Sequence, residues 1–377
     1  MPPSSPSAPF APAPPTPPTP PAPPVVIRAR VESEPGRRTE REELGPRATL
    51  WLDPLTDDTQ GFALSVARGL STRPRRLDCR YLYDEIGSEL FAEITRQPEY
   101  YLTRAEAEIL ARHADELARG LGAIPICELG SGTADKTRLL LAAWAREARG
   151  EFHYVPVDID PGVLRAAAAA LCEAHPALRV SALATSYENA LERLRDVTPK
   201  LVLFLGSSIG NFEPPELDKF LHQVESALQP GDAFLLGVDL VKEAAALEAA
   251  YNDAAGVTAR FTLNLFERMS RELGARIPAG TVEHVAFWNE RLDQIEIYGR
   301  FLRDARIELP RLEQRFDVAR GERVLVEVSR KFRVERLARD LAGHRMRLER
   351  VLSDGGSRFA LLLLRRTHRA EEALSGA

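Results

Sequence analysis

The chain has 377 residues, 44% of them hydrophobic, enough for one large or two modest cores, and 50 Lys+Arg against 55 Asp+Glu leave a formal net charge of -5. That balance offers no overall basic field to recruit nucleic acid or anionic lipid, and no run of about 18 apolar residues spans a membrane. The three cysteines, Cys79, Cys127 and Cys172, lack C-x-x-C spacing and the seven histidines are scattered, which speaks against a disulfide framework, and no metal is expected in what reads as a cytoplasmic protein.

In chain order, the first 24 residues carry 13 prolines among Ala, Ser and Thr, a composition that favours extended polyproline II and buries no core. Residues 1–47 are accordingly read as a disordered tail. It lacks the basic and apolar regions of a signal peptide. From about Ala48 to Leu121 the apolar spacing reads as helices, the last headed by Thr103 with Glu106 three residues on, the spacing of a capping box. The loop "QPEYYLT" before it carries two adjacent tyrosines.

From Ala123 short apolar runs alternate with helical patterns: "IPICEL", "FHYVPVDI", "LRVSAL", "LVLFLGS" and "AFLLGVDL". This is the signature of a doubly wound parallel sheet of α/β class, and ligands of such sheets sit at the carboxyl ends of the strands. Gly130, Asp158, Ser186 and Asn211 fall at or just after those ends. The block from Val241 to Arg330 interrupts the pattern with helix and then β-rich segments, and reads as an inserted α+β substrate domain. A final helix and the pair "LERVLS" and "FALLLLRR", joined by Asp354-Gly355-Gly356, read as an antiparallel hairpin closing the sheet. The expected division is therefore 48–240 with 331–377 as one domain and 241–330 as the insertion.

The stretch "ICELGSGTADKTRLLL" is the informative turn. A Gly-x-Gly between strand and helix lets a ligand approach the backbone at a helix N-terminus. A nicotinamide fingerprint has a third glycine where Asp135 stands here. An acidic residue ending the first strand (Glu128), the Gly-x-Gly and a second acidic residue ending the next strand (Asp158) form the pattern of class I S-adenosylmethionine methyltransferases. Dehydrogenases share that second carboxylate, so both readings stand on the turn alone.

Longer strings decide between them. "YLYDEIGSELFAEITRQPEYYLTRAEAEIL", "FLGSSIGNFEPPE", "LLGVDLVKEAAALEAAYNDAAGVTARFTLNLFERMSRELGA" and "VEVSRKF" together resemble the histidine N-alpha-methyltransferase family of ergothioneine biosynthesis, from about Arg75 to the C-terminal hairpin. The resemblance implies a class I, Rossmann-like fold and trimethylation of L-histidine to hercynine with S-adenosylmethionine as methyl donor. It places Gly130, Gly132, Lys136, Asp158, Ser186 and Tyr187 at the cofactor, with Lys136 reaching the methionine carboxylate, Asp158 the ribose diol, and Ser186 and Tyr187 the adenine edge. Asn211 and Tyr251 match the family's grip on the substrate carboxylate, Glu327 and Ser329 its reading of the imidazole, with Val328 between them. Tyr100 matches a ring contact, Tyr83 a catalytic tyrosine near the amine, and Phe91 and Ile297 wall the pocket. Two departures stand out: Ser186 replaces a commonly acidic residue, and Ile297 an apolar residue that is often methionine. Fungal relatives methylate tryptophan-derived amines, so another aromatic amino acid is the alternative substrate. A non-catalytic scaffold of the same fold is the alternative from a different class. The expected partners are small molecules alone, with the chain acting as a monomer.

Overall fold

The computed structural model describes residues 39–53 and 58–367. The Pro-rich stretch lies outside the described residues. The chain opens with β1 (Glu40–Gly45), β2 (Ala48–Leu52) and the helices α1 (Asp58–Ser71), α2 (Glu85–Ile94) and α3 (Leu102–Leu121). Strand and helix then alternate through β3 (Ile126–Leu129), α4 (Thr137–Glu147), β4 (Phe152–Asp158), α5 (Pro161–Ala174), β5 (Leu178–Ala184), α6 (Tyr187–Leu194), β6 (Leu201–Phe204), α7 (Pro214–Ala227) and β7 (Ala233–Asp239). The next block holds α8 (Ala244–Ala249), α9 (Val257–Leu273), β8 (Val282–Asn289), β9 (Gln294–Phe301), β10 (Ala305–Leu309), β11 (Gln314–Val318) and β12 (Arg323–Arg330). The chain returns through α10 (Val334–Gly343), β13 (Met346–Ser353) and β14 (Phe359–Arg366).

Nine strands form one sheet in the order β1-β2-β5-β4-β3-β6-β7-β14-β13. Pairing is parallel from β2 to β7 and antiparallel at both margins. The central strands are short and apolar because both faces are covered: every residue of β3, β6 and β7 is buried. Two apolar clusters flank the sheet, one under α3, α4 and α5, the other under α6, α7 and α10. The C-terminal hairpin has its expected form. Its turn is held by the buried Asp354 carboxylate, which accepts from the backbone N–H of Arg358 (2.6 Å) and Phe359 (2.8 Å).

The N-terminal segment departs from the expected tail and helices. Residues 40–45, assigned above to the tail, form the sheet's edge strand, and 48–52 form a strand rather than a helix. β1 reads "EREELG", with the charges that protect an exposed sheet edge and no apolar face to betray it. Arg47 pins the turn by donating to the carbonyls of Cys172, His175 and Leu178.

The inserted block builds a three-stranded antiparallel sheet, β12-β9-β8, backed by α9, plus the ribbon β10-β11. It does not stand apart from the N-terminal segment. Leu77 N–H donates to the Leu325 carbonyl (2.7 Å) and Leu325 N–H to that of Arg75 (3.0 Å). Asp84 accepts from Asn264 (2.7 Å) and Arg271 (2.5 Å) of α9. Residues 75–101 therefore pack with the insertion, across the boundary drawn from chain order.

Candidate active site

The glycine turn follows β3 with Gly130 at φ +69° and Gly132 at φ +49°, conformations that a side chain rarely adopts. A Cβ on Gly130 would meet the Tyr187 hydroxyl at 2.8 Å, whereas nothing lies within 4 Å of one on Gly132. Open space thus faces the exposed backbone of the turn. Asp158, ending β4, accepts from Gly132 N–H (2.9 Å) and Asp160 N–H (3.1 Å), which leaves carboxylate lone pairs for a ligand. Burial raises its pKa against those two backbone bonds. Ser186 caps α6, accepting from Asn189 N–H at 3.4 Å, and Tyr187 packs edge-on against Phe204.

Glu128 faces inward. It accepts from Thr137 (2.7 and 2.8 Å) and Tyr154, and burial pushes its carboxyl up to about 7. Lys136 is ion-paired with the fully buried Glu106. Glu106 also accepts from Gly206 N–H at 2.8 Å, in the turn after β6. The capping box expected of Glu106 is absent, since α3 starts at Leu102 with no side-chain cap. Its carboxylate instead fills the space above Gly237 of β7, where a Cβ would come within 2.3 Å. Glu106 is thus a residue that local pattern assigned to the wrong task.

The second half of the site is a cavity with about 550 Å³ of empty space, its open mouth included. Tyr83, Phe91, Tyr100, Asn211, Tyr251, Ile297, Glu327 and Ser329 all line it, drawn from five separate stretches of chain. Val328 does not. Successive side chains of a strand point to opposite faces, so Glu327 and Ser329 share the cavity side of β12 and Val328 turns away from it. Gly206 lines the cavity too, so the Glu106 and Lys136 pair marks where the two halves meet. Tyr83 stands edge-on to Phe91 and Phe261, both at 5.4 Å between ring centres, and Tyr100 edge-on to Phe91 (6.3 Å) and Tyr251 (6.2 Å).

Glu327 accepts from Asn211 Nδ2 (3.0 Å), and burial pushes its carboxyl up to about 7 against the opposing pull of Lys331 and Asn211. Lys331, the next residue on the same side of the chain after Glu327 and Ser329, is fully buried behind the cavity. It donates to Tyr251 Oη (2.7 Å), Ser329 Oγ (2.8 Å) and Asp239 (2.9 Å), which engages all three of its protons. Ser329 Oγ and Tyr251 Oη are 2.7 Å apart. One hydroxyl proton closes that bond, and one remains to face the cavity. Asp239 in turn accepts from Tyr101 (2.8 Å) and Lys242 (2.5 Å). The two tyrosines of "QPEYYLT" therefore divide, Tyr100 to the cavity and Tyr101 to the buried network. The period-two run Glu327, Ser329, Lys331 was the available signal for Lys331. Asp239 and Tyr101 had none.

A family model described as histidine-specific, SAM-dependent methyltransferase matches residues 62–366. The chain belongs to this family. It is 42% identical to the histidine N-alpha-methyltransferase of Mycolicibacterium smegmatis over 311 residues, covering 82% of this chain and 97% of the relative. It is 40% identical to the protein of that name from Mycobacterium tuberculosis, with the same coverage. It is 35% identical over 207 residues to the ergothioneine biosynthesis protein 1 of Neurospora crassa, covering 53% of this chain and 23% of that one. This family member is an enzyme with a Rossmann-like methyltransferase fold, and its methyl donor is S-adenosylmethionine. The open glycine turn beside the Asp158 carboxylate fits that donor. Among the described residues no helix is long and apolar enough to cross a membrane.

Proposed function

We propose that this chain methylates the α-amine of L-histidine three times in one site, giving hercynine, as the opening step of ergothioneine formation. The observation that carries this reading is the pair Glu327 and Ser329. A carboxylate and a hydroxyl stand on one face of β12, inside an aromatic-walled cavity, an arrangement that suits the two nitrogens of one imidazole. Asn211 and Tyr251 take the substrate carboxylate. Gly130, Gly132, Lys136 and Asp158 hold the methyl donor, with Ser186 and Tyr187 at its adenine. Ser186 contributes a weaker contact than a carboxylate would, because its hydroxyl already caps α6.

When bound, the donor supplies an electrophilic methyl on its sulfonium, and the amine lone pair displaces the thioether in line. The protein's part is placement, since proximity and orientation carry most of the acceleration in such a transfer. Each transfer needs one proton off the nitrogen. Burial holds the Tyr83 phenol far above its ordinary pKa, so it stays protonated and orients the nitrogen rather than acting as a strong base. The proton leaves to water. The rings of Tyr83, Phe91, Tyr100 and Phe261 suit a cation that grows by a methyl at each step.

The test is direct. Purified protein with L-histidine and S-adenosylmethionine yields mono-, di- and trimethylated products by mass spectrometry, the last accumulating. A preference for tryptophan in a mixed-substrate assay would shift the reading to another aromatic amino acid. Failure to bind the donor at all, measured by calorimetry, would leave the scaffold reading.

Asp158→Ala tests the donor half separately. Losing a charged hydrogen-bond partner costs about 1.5 to 3 kcal/mol. Calorimetric affinity for S-adenosylmethionine falls roughly tenfold to a hundredfold. Unchanged affinity in a folded variant sinks the assignment.

A further inference from the structure

Away from the cavity, Asp218, His222 and His344 bring donor atoms within 4.8 Å of one another. Asp218 and His222 are one helical turn apart on α7 and project from the same face. His344 caps the end of α10, and its ring meets that of His222 edge-on at 4.5 Å between centres. Both imidazoles turn Nε2 toward Asp218 and Nδ1 toward Glu225. Nε2 of His344 and of His222 lie 3.3 and 3.9 Å from the two oxygens of Asp218, while Nδ1 of His222 and of His344 lie 3.6 and 3.9 Å from Glu225 Oε2. His344 keeps only 9% of its side chain exposed, and its Nδ1 has no hydrogen-bond partner.

We propose that these residues form a site for a divalent transition-metal ion of the zinc type. His222 Nε2, His344 Nε2 and an Asp218 oxygen are the ligands, a water completes the tetrahedron, and Glu225 is the outer carboxylate. Zinc takes imidazole and carboxylate donors at about 2.0 to 2.2 Å, and the nitrogen–oxygen separations of 3.3 and 3.9 Å are a small side-chain adjustment from closing on a single ion. Ligand histidines characteristically donate their other N–H to a carboxylate, which gives the orphaned Nδ1 of His344 its partner in Glu225. Arg345 and Arg366, both 3.4 Å from Glu225, hold that carboxylate in place. They also offset the negative charge, so coordination by imidazole rather than bulk charge drives binding. Hard ions such as magnesium are excluded on that ground. Bound metal ties α7 to the corner before β13. Chain order hid the cluster, because His222 and His344 come from helices on either side of the whole inserted block.

The test uses the untagged full chain, stripped with a chelator and titrated calorimetrically with zinc and, separately, with magnesium. The expected result is one zinc equivalent at micromolar affinity, with a rise in Tm, and no magnesium binding. His222 is exposed, so His222→Ala keeps the fold and methyltransferase turnover. It weakens zinc binding at least tenfold and abolishes the Tm shift, whereas His113→Ala changes neither. Absence of zinc binding below millimolar concentration overturns the proposal. So does stoichiometric binding that survives His222→Ala.

Discussion

Glu327→Ala lowers kcat/KM for histidine by two orders of magnitude or more, while tryptophan and phenylalanine gain relative to it. A site built to hydrogen-bond its substrate rejects an analogue lacking the partner group by about 10⁴- to 10⁵-fold, because its buried polar groups are then left unpaired. Glu327 and Ser329 face the cavity, and on the proposed reading the wild type discriminates on this principle. The substitution removes the imidazole's acceptor and the bulk that excludes larger rings. It also leaves Asn211 without its partner at 3.0 Å. Ile297→Ala shifts the ranking less, since it enlarges the cavity and keeps the acceptor. A substrate panel read by mass spectrometry decides the matter, and an unaltered ranking in Glu327→Ala means the pair does not read the ring. The pH profile carries the same signature. With its carboxyl pushed up to about 7, Glu327 accepts an N–H above that pH and progressively loses the capacity as pH falls through it. Its effect on stability has the opposite sign. The folded pKa lies above the unfolded one, so this group's contribution is fully present below the ordinary glutamate range and is lost as pH rises through about 7. Glu327→Gln therefore melts higher than wild type in alkaline buffer, and the gap closes on acidification.

Lys331→Met destabilises the fold by about 3 kcal/mol and removes most histidine affinity. Breaking a buried ion pair costs about 3 to 5 kcal/mol because one charge is stranded. The lower end applies here, since Lys242 remains on Asp239. The loss of affinity has a different origin. Lys331 is a positioning residue: its bonds to Tyr251 and Ser329 set which hydroxyl proton faces the cavity, and without them both hydroxyls are free to reorient. The double variant Lys331→Met with Asp239→Asn separates the two effects. It restores part of the Tm, because Asp239 no longer carries a stranded charge and Lys242 keeps the Tyr101 hydroxyl and the Leu240 carbonyl as partners, and it leaves KM for histidine high. Recovery of KM along with stability would reduce Lys331 to a structural ion pair. Donor affinity serves as the control and stays near wild type, because Lys331 touches nothing at the glycine turn.

Much of the architecture is legible in local pattern. The alternation from β3 to β7, the closing hairpin and the inserted block follow from hydrophobic period and turn residues, which are properties of neighbouring positions. The period of a strand likewise puts Glu327 and Ser329 on one face, and the same rule, applied strictly, removes Val328 from the cavity. The resemblance to a known family supplied eight cavity residues, of which spacing connects only Glu327 and Ser329, and the fold gathers all eight around one cavity. Charged or polar groups whose partners are remote escaped. Glu106 imitates a helix cap in sequence yet pairs with Lys136 and Gly206, the latter 100 residues away. Tyr101 meets Asp239 across 138 residues, and Lys331 meets Tyr251 across 80. The strand β1 carries only the charges of an edge, which read as solvated chain. A buried polar group must find a partner wherever packing puts one, and packing is decided by the whole sheet and its layers rather than by nearest neighbours. Local sequence therefore determines which segments become strands and helices and which faces they bury. Only the tertiary structure decides which buried charge answers which.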